Sequence, residues 1–165
     1  ISLIHFDAHC DTWPDDEEYS LNHGTMFYKA IKNGIVDPTK SVQIGIRTWN
    51  DDFMGTNILD AQYVHDNGWQ KVVERIREIV GDNLVYLTFD VDSLDPAYAP
   101  GTGTPVPGGL SSLQALAIIR NLGGLNFIGA DVVEVAPSYD HAEITALAAA
   151  HVARDIICLL ANQQP

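Results

Sequence analysis

Short apolar segments that alternate with helical patterns constrain the fold of this chain most. The segments are rich in β-branched and aromatic residues, as strands buried on both faces of a sheet are. We predict five strands, at about Ser2–Phe6, Val42–Ile46, Asn57–Asp60, Val85–Phe89 and Asn126–Val135. We predict helices at about Trp69–Val80, Ser111–Arg120 and Ala142–Ala161, the second capped by serine and the last buried. This alternation is typical of an α/β fold with a mostly parallel sheet covered on both faces.

Composition excludes several classes of function. Apolar residues make up 46% of the 165 residues, as expected for one globular domain over residues 1–165. No apolar run approaches the roughly 18 residues that a membrane-spanning helix needs. The formal net charge of −13 repels nucleic acid and anionic lipid and suits a small cationic ligand or a bound metal. We therefore expect a cytoplasmic protein without a nucleic-acid or membrane partner.

Two of the predicted strands end in metal-ligating residues at alternate positions. The first is followed by Asp7-Ala-His9-Cys-Asp11 and the fourth by Asp90-Val-Asp92. An extended chain alternates sides with a period of two, so the ligating residues of each motif share one side. Because burying an unpaired anion costs several kcal/mol, we expect a cation between the two strand ends. Ligands of parallel sheets bind beyond the carboxyl ends of the strands, where both motifs lie.

The chemistry of this ligand set narrows the choice of metal. Four carboxylates and the imidazole of His9 suit Mn, Mg or Ca and disfavour a structural zinc site. Bridging carboxylates could hold two ions roughly 3.5 to 4 Å apart with a hydroxide between them, which is a hydrolase centre. A calcium-binding EF-hand loop does not fit, because Leu94 and Asp95 stand where that loop needs a ligand and a glycine.

Motifs along most of the chain, from about Ile1 to Ala161, resemble those of the ureohydrolase (arginase/agmatinase) family, and the agmatinase branch is the most similar. They are His-Phe-Asp7-Ala-His9-Cys-Asp11-Thr, Asn22-His23-Gly-Thr-Met-Phe-Tyr28, Ser41-Val-Gln-Ile-Gly-Ile-Arg47-Thr48, Thr88-Phe-Asp90-Val-Asp92-Ser-Leu-Asp95-Pro96, Ala99-Pro-Gly-Thr-Gly-Thr-Pro105, Gly108-Gly109-Leu110 and Gly129-Ala-Asp-Val-Val-Glu134-Val-Ala-Pro137. The resemblance implies a binuclear manganese enzyme that hydrolyses a guanidino group to urea. It also implies a three-layer α/β/α fold around a parallel sheet, and an oligomer.

The resemblance implies a role for each matching metal ligand. Asp7 and Asp90 correspond to carboxylates that bridge the two manganese ions. Asp11 corresponds to a ligand of one ion, and His9 with Asp92 to ligands of the other.

Two further residues correspond to the family's substrate-handling groups. Glu134 matches the carboxylate that grips the guanidinium, a task for which a two-oxygen acceptor is suited. His23 matches the histidine that shuttles protons or positions the substrate. The amine that leaves would receive its proton from Asp92 or from a relay that ends at His23.

The family's remaining ligand, a histidine in an upstream Gly-Gly-Asp-His motif, does not occur in these residues. With the start at Ile1 inside a strand, this predicts that N-terminal strands are missing and that residues 1–165 alone are inactive. The resemblance makes hydrolysis of agmatine to putrescine and urea the expected reaction. Four consecutive acids, Asp15–Glu18, favour a substrate with a cationic tail, either by direct contact or by steering cations from solvent. The alternatives are guanidinobutyrate or arginine as substrate, a metal-binding protein without activity, and a zinc deacetylase.

Four other residues stand within these motifs. Cys10 points away from the ligands and is expected to be a packed thiol. His5 is interpreted as a core histidine, although it alternates with Asp7. Asp95 precedes a proline and is expected to fix a turn, and the sequence does not decide the role of Asp131.

Overall fold

A five-stranded parallel sheet organises the part of the chain that this computed structural model describes, residues 1–15 and 22–163. Its strands are β1 (Ser2–Phe6), β2 (Val42–Ile44), β3 (Asn57–Leu59), β4 (Leu84–Asp90) and β5 (Asn126–Val133). The helices are α1 (Met26–Lys32), α2 (Ala61–Val80), α3 (Ser112–Arg120) and α4 (Ile144–Ala161). All neighbouring strands pair in parallel, which confirms the predicted α/β class.

The strand order, β3-β2-β1-β4-β5, contains one reversal. The chain moves outward from β1 through β2 to β3 and then returns to the other side of β1 with β4. Ile4 accordingly faces Val42 of β2 on one side and Leu87 of β4 on the other. Ligands of doubly wound sheets bind at such a reversal, beyond the carboxyl ends of the strands. Asp7 follows β1 and Asp90 ends β4, so both lie at this point.

Helices cover both faces of the sheet, as the three-layer arrangement requires. Ile4 and Phe6 of β1 belong to the main apolar core, and α2, α3 and α4 pack side by side on that face. His5 points to the opposite face, where its ring contacts Phe27 of α1 with 4.7 Å between centroids. The alternation of β1 thus separates an aliphatic face from a face that carries the functional groups.

The observed start of α3 agrees with the prediction, whereas that of α2 does not. Ser111 caps α3 through a reciprocal capping box with Gln114, as predicted. α2 begins at Ala61 rather than Trp69, because Asp60 accepts a hydrogen bond from the main chain of the first turn. Gly68, with φ of 76°, interrupts that helix and hides its first part from the apolar pattern. The short helix α1 was not predicted.

Only one face of α4 is buried, which corrects the prediction of a buried helix. Leu147 and Ile157 on the other face are 61% and 63% exposed. The helix has 18 residues with a mean hydropathy of 1.7 and is long and apolar enough to cross a membrane by length and composition alone, with 28% of it buried. By length and composition, this helix contradicts the expectation that the chain has no segment apolar enough to span a membrane. Its buried side chains are Thr145, Ala149, Val152, Asp155 and Ile156.

β5 lies at one end of the sheet, and its outer edge faces no other strand of the described residues. The pairing with β4 shifts after Val85, because Ile128 is inserted between the partners of Val85 and Tyr86. Gly129, which follows the insertion, faces the Tyr86 ring, and a Cβ there would lie 3.0 Å from Tyr86 Cε2. A larger residue at this position would push the ring of Tyr86 away from β5.

Candidate metal centre

A cavity of about 470 Å³ opens at the carboxyl ends of β1, β4 and β5. Its size is in the range of small-molecule sites. All the residues predicted for the metal ions and the substrate line its wall, although they come from four separate segments. They are Asp7, His9, Asp11, His23, Asp90, Asp92 and Glu134.

The loop after β1 bends at Ala8 and His9, and all three of its predicted ligands line the cavity. Asp7 is buried, and its Oδ1 accepts a hydrogen bond of 2.6 Å from the main-chain nitrogen of His9. Its Oδ2 lies 2.8 Å from Nε2 of His5. Asp11 has a left-handed main chain with φ of 53°, and its carbonyl oxygen accepts a hydrogen bond from Phe27 of α1. The predicted sharing of one side by Asp7, His9 and Asp11 is therefore found.

The loop after β4 has a different conformation, which the sequence pattern did not reveal. Residues Val91–Ser93 form a 3-10 turn, and the Asp90 carboxylate accepts a hydrogen bond of 2.8 Å from the nitrogen of Asp92. Oδ1 of Asp92 accepts a hydrogen bond of 3.0 Å from the nitrogen of Ala8 in the other loop. Oδ2 of Asp92 lies 3.0 Å from Nδ1 of His9. Asp92 thus joins the two loops directly.

The carboxylates are too crowded to be charged together without a cation. Burial and the charges of Asp7 and Asp92 raise the pKa of Asp90 to about 10. Burial and the charge of Asp7 raise the pKa of Asp11 to about 7. Burial acts in the same direction on Asp7, but the His5 imidazole and the hydrogen bonds from His5 and His9 outweigh it and hold the pKa of Asp7 below its usual range. One carboxylate is therefore charged at the expense of its neighbours.

His9 supplies positive charge at the centre of this cluster. Hydrogen bonds to Asp7 and Asp92 raise the pKa of His9 to about 10. The ligand atoms of Asp7, His9 and Asp92 lie within 4.8 Å of one another, and so do those of His5, Asp7 and Asp11. These spacings suit one cation each, and a metal ion would take the place of the His9 proton. Asp90 lines the same cavity but belongs to neither group of atoms.

Glu134 and His23 form a pair in the wall of the same cavity. Oε1 of Glu134 lies 2.7 Å from Nδ1 of His23, and the side chains are 31% and 88% exposed. Glu134 follows β5 with a left-handed φ of 63°, a conformation that is costly for a residue other than glycine. Ala136 then donates a hydrogen bond to the carbonyl of Gly101, which joins this turn to the long loop after β4. The two residues predicted to handle the substrate are thus in contact with each other.

Sequence reasoning missed three residues of the cavity wall. His5 was interpreted as a core histidine, but it is both buried and in contact with Asp7. Its position two residues before Asp7 on the same strand was the signal that could have identified it. Thr104 donates a hydrogen bond of 3.1 Å to Oδ2 of Asp92 from a loop position that carries no local pattern. Asp131 accepts hydrogen bonds from Tyr86 and Thr88, whose partnership depends on strand pairing.

Other expectations near the site are confirmed. The Cys10 thiol is buried and accepts a hydrogen bond from Asn50. The Asp95 carboxylate accepts hydrogen bonds from the nitrogens of Ala97, Gly108 and Gly109 and so fixes the turn. Of the acidic segment, residues 16–18 lie outside the described part of the chain, and only Asp15 is described.

Comparison with known proteins shows the family of this chain. The model of the arginase family matches residues 1–159. The chain belongs to the arginase family. Among curated relatives, an agmatinase from Chromobacterium violaceum is 67% identical over 164 residues, which cover 99% of this chain and 51% of that protein.

Solved structures of this family have the same fold. The crystal structure of a hypothetical agmatinase from Burkholderia thailandensis has 70% identity and a TM-score of 0.96, over 97% of this chain and 51% of that one. Proclavaminate amidino hydrolase from Streptomyces clavuligerus has 40% identity and a TM-score of 0.93, over 98% of this chain and 55% of that one. The chain thus spans about half the length of the arginase-family relatives it matches.

Proposed function

We propose that the intact protein containing this chain hydrolyses the guanidino group of agmatine to putrescine and urea, with two manganese ions. One observation carries the proposal: a cluster of carboxylates that needs a cation and a separate carboxylate, Glu134, line the same cavity. The first group fits a metal-activated nucleophile and the second fits a guanidinium. The agmatinases among its relatives support the choice of substrate.

The donor set fits divalent cations. Oxygen ligands with one imidazole suit manganese better than metals that prefer thiolate. Asp7 and Asp90 would bridge two ions, with Asp11 on one ion and His9 with Asp92 on the other. Burial and neighbouring carboxylates raise the pKa values of Asp11 and Asp90, and binding of a cation would favour the deprotonated form of both.

When bound, the ions would lower the pKa of water and supply hydroxide near neutral pH. The residues of this chain then orient and protonate the substrate. Glu134 offers two oxygens to the planar guanidinium, which can replace His23 as the partner of Oε1. Hydroxide adds to the guanidinium carbon and the bond from that carbon to the alkyl-bearing nitrogen breaks. The hydroxyl proton of this adduct passes to the leaving amine through Asp92 or through a relay ending at His23, and urea remains.

The first test is release of urea by the manganese-loaded intact protein from agmatine, arginine and guanidinobutyrate. We expect the highest kcat/KM for agmatine. Glu134→Gln removes the charge that pairs with the guanidinium and should lower kcat/KM by about 100-fold, since a charge-assisted pair contributes about 3 kcal/mol. Glu143→Gln is the matched control, because Glu143 is also left-handed but lies outside the cavity wall. Equal losses in both variants, or faster hydrolysis of another substrate, would contradict the proposal.

The setting of the enzyme is proposed together with its activity. We propose a cytoplasmic homo-oligomer in which residues 1–165 belong to a single catalytic domain. A net charge of −13 disfavours binding to nucleic acid and anionic membranes. On α4, Asp155 forms ion pairs with Arg154 of the same helix and with Arg120 of α3. These ion pairs favour an aqueous environment for α4. Sedimentation equilibrium of the intact protein tests the oligomer, for which a monomer would be the contrary result.

A further inference from the structure

Arg47 is a charged residue for which the proposed reaction has no use. It follows β2 by three positions and is half-buried, and burial lowers the pKa of its guanidinium. An arginine removed from water normally pairs with a carboxylate. In the part of the chain that the structure describes, the hydrogen bonds of Arg47 instead end on main-chain carbonyl oxygens.

The guanidinium joins three loops at the carboxyl edge of the sheet. Nη1 donates to the carbonyl of Gly45, directly after β2, at 3.0 Å. Nη2 donates to Asp92 at 2.6 Å and to Leu94 at 3.2 Å, in the turn after β4. Nε and Nη2 donate to Val106 at 3.0 and 2.7 Å, in the long loop that precedes α3. A planar group with five donors is suited to hold several carbonyls in fixed directions at once.

The chain leaves space for this contact where it passes Arg47. A Cβ on Gly109 would lie 2.7 Å from Nη2 of Arg47 and 2.5 Å from the nitrogen of Asp95. Gly109 is buried and close to the end of the same long loop. The close approach of main chain to guanidinium therefore requires glycine at this position.

Asp92 is the residue through which Arg47 reaches the cavity. Arg47 holds its carbonyl, while Ala8 and Thr104 donate to its carboxylate and His9 lies 3.0 Å from Oδ2. A shift of the Asp92 main chain would therefore move Oδ2 relative to His9. Ligand geometry must be kept within about 0.5 Å for a metal site to bind well.

We propose that Arg47 is a positioning residue that sets the place of the Asp92 carboxylate and, through it, the affinity of the metal centre for divalent cations. The inference depends on the proposed function, since it requires a cation at this site. Lysine cannot replace arginine here, because its ammonium has three donors at one point rather than a planar fork. Arg47→Lys keeps the charge and loses the joint hold on the three loops.

The test is calorimetric titration of the metal-free intact protein with Mn²⁺, carried out in the cold on samples shown to be folded by circular dichroism. Arg47→Lys and Arg47→Gln are compared with the wild type. Arg77→Lys and Arg77→Gln are the controls, because Arg77 also binds main-chain carbonyls, those of Asn121 and Gly123, but far from the cavity. We expect the Arg47 variants to bind Mn²⁺ about 10- to 100-fold more weakly and the Arg77 variants to bind it as the wild type does.

A second readout separates positioning from stability. Excess Mn²⁺ should restore the rate of urea release in an Arg47 variant, because the weakened step is binding of the cation. If Arg47 only stabilised the fold, its variants would melt at lower temperature in chelator but bind Mn²⁺ with unchanged affinity when folded, which would overturn the proposal. Failure of both Arg47 variants to fold in the cold would assign the residue to the fold and also overturn it. A wild type that binds no Mn²⁺ would instead refute the proposed function.

Discussion

The loops after β1 and β4 bring carboxylates to the same cavity in different ways. In the β4 loop, Asp90 and Asp92 are buried, and the Asp90 side chain closes a 3-10 turn through the nitrogen of Asp92. In the β1 loop, Asp7 accepts the same kind of hydrogen bond from the nitrogen of His9, but no 3-10 turn forms, His9 and Asp11 are half-buried, and Asp11 has a left-handed main chain. The two loops thus share this local hydrogen bond and differ in main-chain conformation and in burial.

The same spacing of ligating residues thus occurs in two different main-chain conformations. Both loops show a ligating residue at every second position, and in both the first carboxylate accepts a hydrogen bond from the nitrogen two residues later. The β1 loop is held further by contacts from outside, with His5 at Asp7, α1 at Asp11 and Asp92 at Ala8. We therefore expect substitutions in the β4 loop to remove the metal centre and substitutions around the β1 loop to weaken it.

The largest effect is expected for Asp90→Asn. The substitution keeps an oxygen that can accept from the nitrogen of Asp92 but removes the charge of a proposed bridging ligand. We predict loss of at least one metal ion and of urea release by about 1,000-fold or more in the intact protein. Elemental analysis and steady-state kinetics measure the two quantities. Asp95→Asn is the control from the same loop, because Asp95 binds the nitrogens of Gly108 and Gly109 instead. Full metal occupancy of Asp90→Asn would contradict the bridging role.

A smaller effect is expected where the long loop after β4 contacts the turn before α4. A Cβ on Gly101 would lie 2.5 Å from Cβ of Asp140, so Gly101→Ala forces two packed segments apart. We predict a loss of about 1 to 3 kcal/mol in the free energy of unfolding, measured with urea. Gly103→Ala is the control in the same loop, since its nearest neighbour would be Glu134 Oε2 at 3.8 Å. Equal stability of the two variants would show that the loop is not held at Gly101.

The contact between His5 and Asp7 predicts a further graded effect. His5→Leu leaves Oδ2 of Asp7 without its buried partner and should weaken Mn²⁺ binding by about tenfold, the range found when partners of metal ligands are removed. His65→Leu is the control, because His65 is exposed on α2. Titration of both variants with Mn²⁺ measures the difference. An unchanged affinity in His5→Leu would make it the core histidine that the sequence suggested.

The smallest effect is a pH dependence of the metal-free protein. Asp90 and His9 have folded pKa values of about 10, above their usual values of 3.8 and 6.5. The folded state therefore binds more protons than the unfolded state between about pH 4 and 10, and stability is lost as pH rises through this range, with both groups contributing between about 6.5 and 10. We predict that Tm in chelator falls by a few degrees over this interval and falls less in Asp90→Asn. Asp82→Asn, an exposed control, should follow the wild type. A Tm that rises with pH would contradict the crowding of carboxylates.

The sequence predicts the sheet well because each strand is a short apolar segment with its own boundaries. It predicts the placement of Asp7 and Asp90 because the carboxyl ends of parallel strands share an edge. It does not predict the 3-10 turn after Asp90, since Asp7 makes the same hydrogen bond to the nitrogen two residues later without a 3-10 turn. Nor does it predict α1 or the interruption of α2 at Gly68, where local propensity is weak.

Contacts between distant segments could not be predicted from the sequence. Arg47 stands in a motif of the family, yet its partners are main-chain carbonyl oxygens. Because every residue has such an oxygen, residue type does not identify these partners. Thr104 reaches Asp92 because the long loop folds back over the cavity. The exposed face of α4 was missed for a related reason: an alanine-rich helix has no polar stripe to show which side faces solvent.

We propose that the loops after β1 and β4 together hold a pair of divalent cations at the point where the strand order reverses. A crystal structure of the manganese-loaded intact protein, with anomalous scattering from manganese, tests it most directly. We expect two anomalous peaks roughly 3.5 to 4 Å apart. Asp7 and Asp90 should ligate both ions, Asp11 one of them, and His9 with Asp92 the other. A single peak with His5 as a ligand, or no peak in the cavity, would contradict it.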